Sequence, residues 1–348
     1  MINEKEEVVK INELSREIQK EILKGCGDAI QYIYNPDKEL QLIAVKEKGY
    51  TIRFINNPDR DVQLEALKQN GLAIQFIDNP DKELQLEAVK QNGYSIQHIK
   101  NPDKDVQLAA INRNGLAIEY IKNPDEDVQL EAVKDNSLAI KFINNQCKVI
   151  QLTSLKKYGP SIQYIKNPDK ELQLIAVNQD GNSIKHIIDP DKDVQLAAVK
   201  KNADSIQFIN NPDKDVQLEA IKDYANCIRL IKNPHKEVQL EAIRKYGPSI
   251  KFINNPSIDI QLAAIKEDGS NIYYINNPDK EVLDRIKIYE TSKRDIIVFK
   301  DDDGKFKFSV GCQKNISKET FIWRIYNLDG GLEKNPHRQE YLDILKQY

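Results

Sequence analysis

Metal-binding and redox side chains are scarce in this chain, whose 348 residues hold four histidines and four cysteines. Cys26, Cys147, Cys227 and Cys312 lie too far apart for a Cys-x-x-Cys knuckle, and neither His98 nor His186 has a neighbour at ligand spacing. No metal and no cofactor is therefore expected. The cysteines read as reduced thiols of a cytoplasmic protein, which would leave the Asn315-Ile316-Ser317 glycosylation sequon unused. An excess of one charge is also missing. Fifty-one basic side chains face 54 acidic ones, for a net charge of −3 and a pI near 6.0. The lysines are interleaved with Asp and Glu, so the basic stripe of a nucleic-acid groove is excluded. No apolar run is long enough to span a membrane, and Met1 to Lys10 is charged, unlike a signal peptide.

What the chain does have is a period. An Asn-Pro-Asp box begins at Asn35, Asn57, Asn79, Asn101 and Asn123 and continues every 22 residues to Asn277, with a degenerate copy from Glu13. A fixed period of this size is the mark of a solenoid, in which each repeat buries its apolar face against its neighbours. Counting the Asn as position 0, it reads as a helix N-cap, with Pro58 in the first turn and Asp59 and Asp61 near the positive end of the helix dipole. Gly71, at position 14, reads as the left-handed residue that stops a helix of about twelve residues. Leu72 to Ile77 then fit a short α or 3₁₀ helix, because 22 residues are too few for two full helices.

On the helical wheel the buried arc holds positions 5, 7, 9 and 10, as Val62, Leu64, Ala66 and Leu67. Position 6 lies inside that arc and is Gln in repeat after repeat, including Gln41, Gln63, Gln85, Gln107 and Gln129. A hydrogen-bonded ladder to backbone or to the next Gln is the structural reading, and a ligand-binding row is the alternative. Position 19 forms a second row, with Tyr32, Phe54, Phe76, His98, Tyr120, Phe142, Tyr164 and His186 among its members, expected to pack in the core.

The pattern Asp-x-x-Val-x-Leu-x-Ala-Val-Lys-x-Asn-Gly-x-Ala-Ile in residues 81–96 and 125–140 resembles a short helical repeat of unknown function found in bacterial, phage and giant-virus proteins. Its plan is also similar to the variant leucine-rich repeat, which pairs one α-helix with one 3₁₀ helix. The resemblance runs from about residue 13 to 290. It implies an architecture and no activity.

Within that frame the varying positions carry the functional expectation. Position 15 is apolar in five successive repeats, as Tyr50, Leu72, Tyr94, Leu116 and Leu138, then becomes Pro160, Asn182, Asp204 and Asn226. Position 8 is Ile43 and Ile175 in two repeats. These seven residues form a candidate partner-binding strip; the alternative is that position 15 caps the glycine turn. The repeat at Asn145 departs most, with Gln146 for Pro, Cys147 for Asp and Ser154 for Ala, which reads as simple drift first and as a weak stacking seam or hinge second.

After Arg285 the period ends. Residues 295–310 read as a β-hairpin with an Asp-Asp-Asp-Gly tip, Ser317 to Tyr326 as a capped amphipathic helix, and Asn335-Pro336 as the start of a last helix. The segments 310–313 and 330–338 resemble a small C-terminal module of uncharacterised phage proteins. Cys312, Trp323, Arg324, His337 and Arg338 are candidates for a ligand pocket there. Cys312 and His337, with Asp301 to Asp303, also supply the residue types of a thiol nucleophile, but no catalytic signature surrounds Cys312.

The expectation is thus an all-α chain: a right-handed α-solenoid of about thirteen 22-residue repeats over 13–290, a lead-in at 1–12, and a ββαα capping module at 291–348. Its expected function is a non-enzymatic protein–protein scaffold of phage or viral origin that binds a host protein. The first alternative is small-molecule or nucleotide binding by the C-terminal module, and the second is a structural assembly role.

Overall fold

The computed structural model describes residues 11–329 and 331–348, so most of the expected lead-in lies outside the described residues. The chain divides into two compact parts, Met1–Gln179 and Asp180–Tyr348. Among the described residues thirteen α-helices, from Arg16–Gly25 to Lys280–Asp284, alternate with twelve six-residue 3₁₀ helices, and a four-stranded sheet with three further helices follows. Within each part successive repeats stack side by side, as a solenoid requires.

One repeat shows how the sequence produces this. The α-helix Arg60–Gln69 buries Val62, Ala66 and Leu67, and the 3₁₀ helix Gly71–Phe76 with its flank buries Ala73, Ile74 and Ile77. Full burial of a Val, Leu or Ile side chain contributes about 1.5–3 kcal/mol, so this continuous apolar seam is the main stabilising term. Leu64, expected inside, is only half-buried.

The box residues work differently from expectation. Asn35, Asn57, Asn79 and Asn101 have φ near +48° and turn the chain in the left-handed region that Asn tolerates. The helix cap is the Asp two positions later. Asp37 accepts a hydrogen bond from Leu40 N at 3.1 Å and Asp81 from Leu84 N at 2.9 Å. The same carboxylates receive a cation from the preceding repeat. Lys82 Nζ lies 2.8 Å from Asp103 and 2.5 Å from Asp105, which pushes its ammonium up to about 12 and holds Asp103 below its usual range. Lys38, Arg60, Lys104, Lys148 and Lys192 repeat the arrangement.

Glycine at position 14 is not a left-handed stop. It is the first residue of the 3₁₀ helix, and where glycine stands there the next repeat passes close by, while Ser137, Ala203 and Ala225 hold the position in other repeats. A Cβ on Gly93 would come within 2.6 Å of the Ala110 carbonyl oxygen, and one on Gly115 within 2.5 Å of that of Ala132. The extended residue before it caps the 3₁₀ helix instead, as Asn70 accepts from Leu72 N at 3.1 Å.

The Gln row bonds backbone, its Nε2 within its own repeat and, in Gln217 and Gln261, its Oε1 accepting from His235 N and Asp279 N of the next repeat. Gln41, Gln63, Gln85, Gln107 and Gln129 each donate from Nε2 to the Pro carbonyl five residues back, at 2.7–2.9 Å. Among the described residues the amides do not hydrogen-bond one another. Position 19, expected in the core, lies at the surface: Phe54, Phe76 and Phe142 are half-buried, while His98 and Tyr120 are exposed. In the divergent repeat, substituted residues make new bonds. Gln146 Nε2 donates to Ile140 O and Tyr164 O, and Ser154 Oγ to Ser137 O at 3.0 Å. Among the described residues that seam lacks the ion pair: Glu126 stands where most repeats have Lys or Arg, and Cys147 and Val149 stand where the accepting carboxylates would be.

The C-terminal module has more strands than its sequence announced. Strands β1 (Ile286–Tyr289), β2 (Ile296–Lys300), β3 (Phe306–Val310) and β4 (Gln313–Ile316) form an antiparallel sheet in the order 1-2-3-4. Helix Lys318–Asn327, capped by Ser317 as expected, and helix Arg338–Leu345 close one face over Ile296, Val298, Phe308, Phe321, Ile325, Tyr341 and Leu345. Asn335 does not cap the last helix; its amide donates to the Asp329 and Gly331 carbonyls beside the short helix Gly331–Lys334. Asn315 of β4 joins the sheet to the last full repeat. Its Oδ1 accepts from Gly269 N at 3.0 Å, and its Nδ2 donates to Lys266 O at 2.7 Å and Ile265 O at 3.2 Å.

Candidate functional site

Two features stand apart from the packing. The first is a row on the 3₁₀ side of the N-terminal part. Tyr50, Leu72, Tyr94, Leu116 and Leu138 are all half-buried, and each aromatic member lies against a position-19 ring of the following repeat. Tyr50 meets Phe76 edge-on, with ring centroids 5.4 Å apart, and Tyr94 meets Tyr120 at 6.0 Å. Gln75 Nε2 donates to the Tyr50 hydroxyl at 3.0 Å. The Arg53 guanidinium lies 4.4 Å above the Phe54 ring and the Lys141 ammonium 4.3 Å above that of Phe142. Positions 15 and 19 therefore interleave into one partly exposed apolar band. Sequence reasoning found half of it and assigned the other half to the core. Ile43 and Ile175 do not belong to this band, since both sit half-buried on α-helices.

The second feature is a cavity of about 350 Å³ in the C-terminal module. It brings together four of the five pocket candidates, Cys312, Arg324, His337 and Arg338, with Lys293 and Arg294 from the β1–β2 turn. The floor is apolar, from Val310, Phe321, Ile325 and Tyr341. Trp323 does not line it: one residue before Arg324 on the helix, its side chain points elsewhere and is 57% exposed. Lys293 and Arg294 were missed because an exposed turn gives no sequence sign of what it faces.

The cations in this cavity are not equivalent. Arg338 Nη1 donates to the carbonyls of Leu328 at 2.7 Å and Ile325 at 3.2 Å, and Nη2 lies 3.3 Å from Asp329. It neutralises the negative end of helix Lys318–Asn327 and is committed to the fold. Lys293, Arg294 and Arg324 have no carboxylate in ion-pair contact among the described residues. Gly311, at φ +57°, makes room for Arg294, whose Cδ would lie 3.0 Å from a Cβ placed there.

The elements of a thiol nucleophile are not assembled. Cys312 and His337 share the cavity, but among the described residues no hydrogen bond joins them, and the Cys312 sulfur accepts from Gln313 Nε2 at 3.6 Å. The acidic tip is turned away. Asp302 pairs with Lys266 at 3.1 Å and with Arg285 at 2.7 Å, tying the β2–β3 turn to the last repeats. All four cysteines are free thiols, and burial beside the Asp204 carboxylate pushes Cys227 up to about 11. Among the described residues no His, Cys, Asp or Glu cluster could hold a metal ion, and no helix is long and apolar enough to cross a membrane.

Residues 37–80, 59–102 and 81–124 each match the family described as Domain of unknown function (DUF4116). Each match spans two repeats and overlaps the next by one, so this stretch is similar to a tandem repeat family to which no activity is attached. No curated protein and no solved structure matches the chain.

Proposed function

We propose that this chain is a non-enzymatic protein-interaction scaffold that holds a partner protein along the 3₁₀ side of its N-terminal part. The observation behind the proposal is the interleaved band of positions 15 and 19. Core burial is already complete at positions 5, 9, 10, 16, 17 and 20, as in Val62, Ala66, Leu67, Ala73, Ile74 and Ile77. The band adds aromatic and aliphatic surface that the fold leaves half open, and aromatic residues are the side chains enriched at the centres of protein interfaces. Its flanks carry Gln, Glu, Arg and Lys of mixed sign, so apolar fit rather than charge selects the partner. The loss of apolar character at position 15 after Leu138 limits the band to this part.

The finer reading is a phage or viral protein acting on a host protein in the host cytoplasm. Its support is the Asn-, Ile- and Lys-rich composition together with the short-repeat resemblance.

A photo-crosslinking residue at position 94 should capture a partner from native host extract, and the same residue at exposed position 83, on the α-helical side, should not. With that partner purified, changing Tyr50, Tyr94 and Leu116 together to Ser should weaken binding at least about tenfold, or about 1.4 kcal/mol, while helicity is retained. Loss of folding with no separable loss of binding would show that these side chains belong to the core.

A further inference from the structure

We propose that the cavity of the C-terminal module is a binding site for a small organic phosphate, of about the size of a nucleoside monophosphate. This site is independent of the scaffold reading, because every residue that builds it lies between Lys293 and Tyr341. Its volume of about 350 Å³ falls at the lower end of the range for small-ligand pockets, roughly 300–1,000 Å³.

Charge identifies the ligand class. The chain as a whole carries −3, yet this one concavity collects Lys293, Arg294, Arg324 and Arg338 against a single carboxylate, Asp329. Arg338 and Asp329 pair with each other, which leaves three cations without a counter-charge among the described residues. They come from two separate elements, the β1–β2 turn and the helix Lys318–Asn327. Unpaired cations facing one concavity repel each other, and an anion placed between them relieves that repulsion. A dianion with several acceptor oxygens satisfies two guanidinium forks and an ammonium better than a single carboxylate does. The apolar floor of Val310, Phe321, Ile325 and Tyr341 then receives the organic portion. Such a division, an apolar wall with a few converging polar groups, is what orients a ligand in a small-molecule site.

The test uses the full chain and three probes: inorganic phosphate, adenosine monophosphate and adenosine. Isothermal titration gives affinities, and amide chemical shifts at residues 293–294, 310–313 and 324 locate the binding. Expected is binding of the monophosphate at the cavity, competed by inorganic phosphate and weakened by added NaCl, with adenosine at least about tenfold weaker. Arg294→Gln and Arg324→Gln should each reduce monophosphate affinity by about tenfold with an unchanged melting profile, since neither side chain makes a hydrogen bond or ion pair among the described residues. Arg338→Gln should instead lower the melting temperature, which separates the structural arginine from the ligand-facing ones. Adenosine binding as tightly as its monophosphate, no shift at the cavity with either phosphate, or full affinity in both Arg294 and Arg324 variants would overturn the proposal.

Discussion

Replacing Asn315 with alanine tests how the repeat array ends. In alternate repeats of the N-terminal part the first N–H of a 3₁₀ helix is taken by the position-12 side chain of the next repeat, as Gly27 N donates to Glu47 and Gly71 N to Gln91 Oε1 at 2.8 Å. Side chains at position 12 also reach back to the carbonyls ending the previous α-helix, as Gln69 Nε2 does to Lys46 O at 2.7 Å. After Gly269 no further 3₁₀ repeat follows, and Asn315 makes both bonds from a β-strand, to Gly269 N and to Lys266 O. Alanine would leave the N–H of buried Gly269 unmet, at about 1–3 kcal/mol. It would also place a Cβ residue without a polar side chain at φ +45°, adding about 1–2 kcal/mol. The expected destabilisation is about 2–5 kcal/mol, and Asn315→Gly should recover about 1 kcal/mol by relieving the backbone alone. Hydrogen exchange over residues 255–290 is the appropriate assay, because an array loosens locally before it unfolds globally. Unchanged protection at Gly269 and Asn271 in the alanine variant, with glycine and alanine indistinguishable, would refute the reasoning.

Gly93→Ala should destabilise the N-terminal part by about 1–3 kcal/mol, since its Cβ would press on the Ala110 carbonyl; a melting temperature equal to the parent's would contradict the close approach. Ser95→Ala should raise stability by about 1 kcal/mol, because the Ser95 hydroxyl is buried without a hydrogen-bond partner and alanine already fills the same position at Ala73; calorimetry checks the sign. Asp61, Asp103, Asp127 and Asp215 are all held below their usual range by lysines. Depressed carboxyls contribute stability that is present above the unfolded value, near 3.9, and is lost as pH falls through the lower folded value. Stability should therefore stay level from pH 8 to about 5 and decline below about pH 4, a profile that circular dichroism at fixed temperature can follow.

The architecture was legible because every repeat states the same pattern, so an error in one is corrected by the next. The chemistry inside a repeat was less so. Asn and Asp both cap helices, and only the backbone angles show that Asn57 turns the chain while Asp81 caps. Glycine serves φ > 0 and close approach alike, and a sequence does not distinguish them. Position 19 was misplaced because aromatic residues spaced like a core look the same whether a neighbour covers them or not. In the C-terminal module no repetition helps. Strands β1 and β4 have only four residues each, too few for an alternation to register. The cavity could be guessed in part, because Arg324, His337 and Arg338 lie near one another in sequence. Lys293 and Arg294 arrive there only through the sheet.

The bonds between neighbouring repeats have an editorial consequence for the gene. They link residues 17 to 25 positions apart, as Ser154 to Ser137, Gly71 to Gln91, Arg60 to Glu83 and Gln75 to Tyr50 do. Removing residues 57–78 would bring Lys38 to Asp81 and Glu83, the carboxylates that Arg60 now holds, and would seat Gly49 beneath the Ala88 carbonyl in place of that of Ala66. A deletion or duplication of one whole period thus finds like partners at both new ends. Inserting a single residue changes every one of those pairings at its seam. Recombination can lengthen or shorten this protein in steps of one repeat with little penalty, and the length of its half-exposed apolar band is a trait that selection can set by counting.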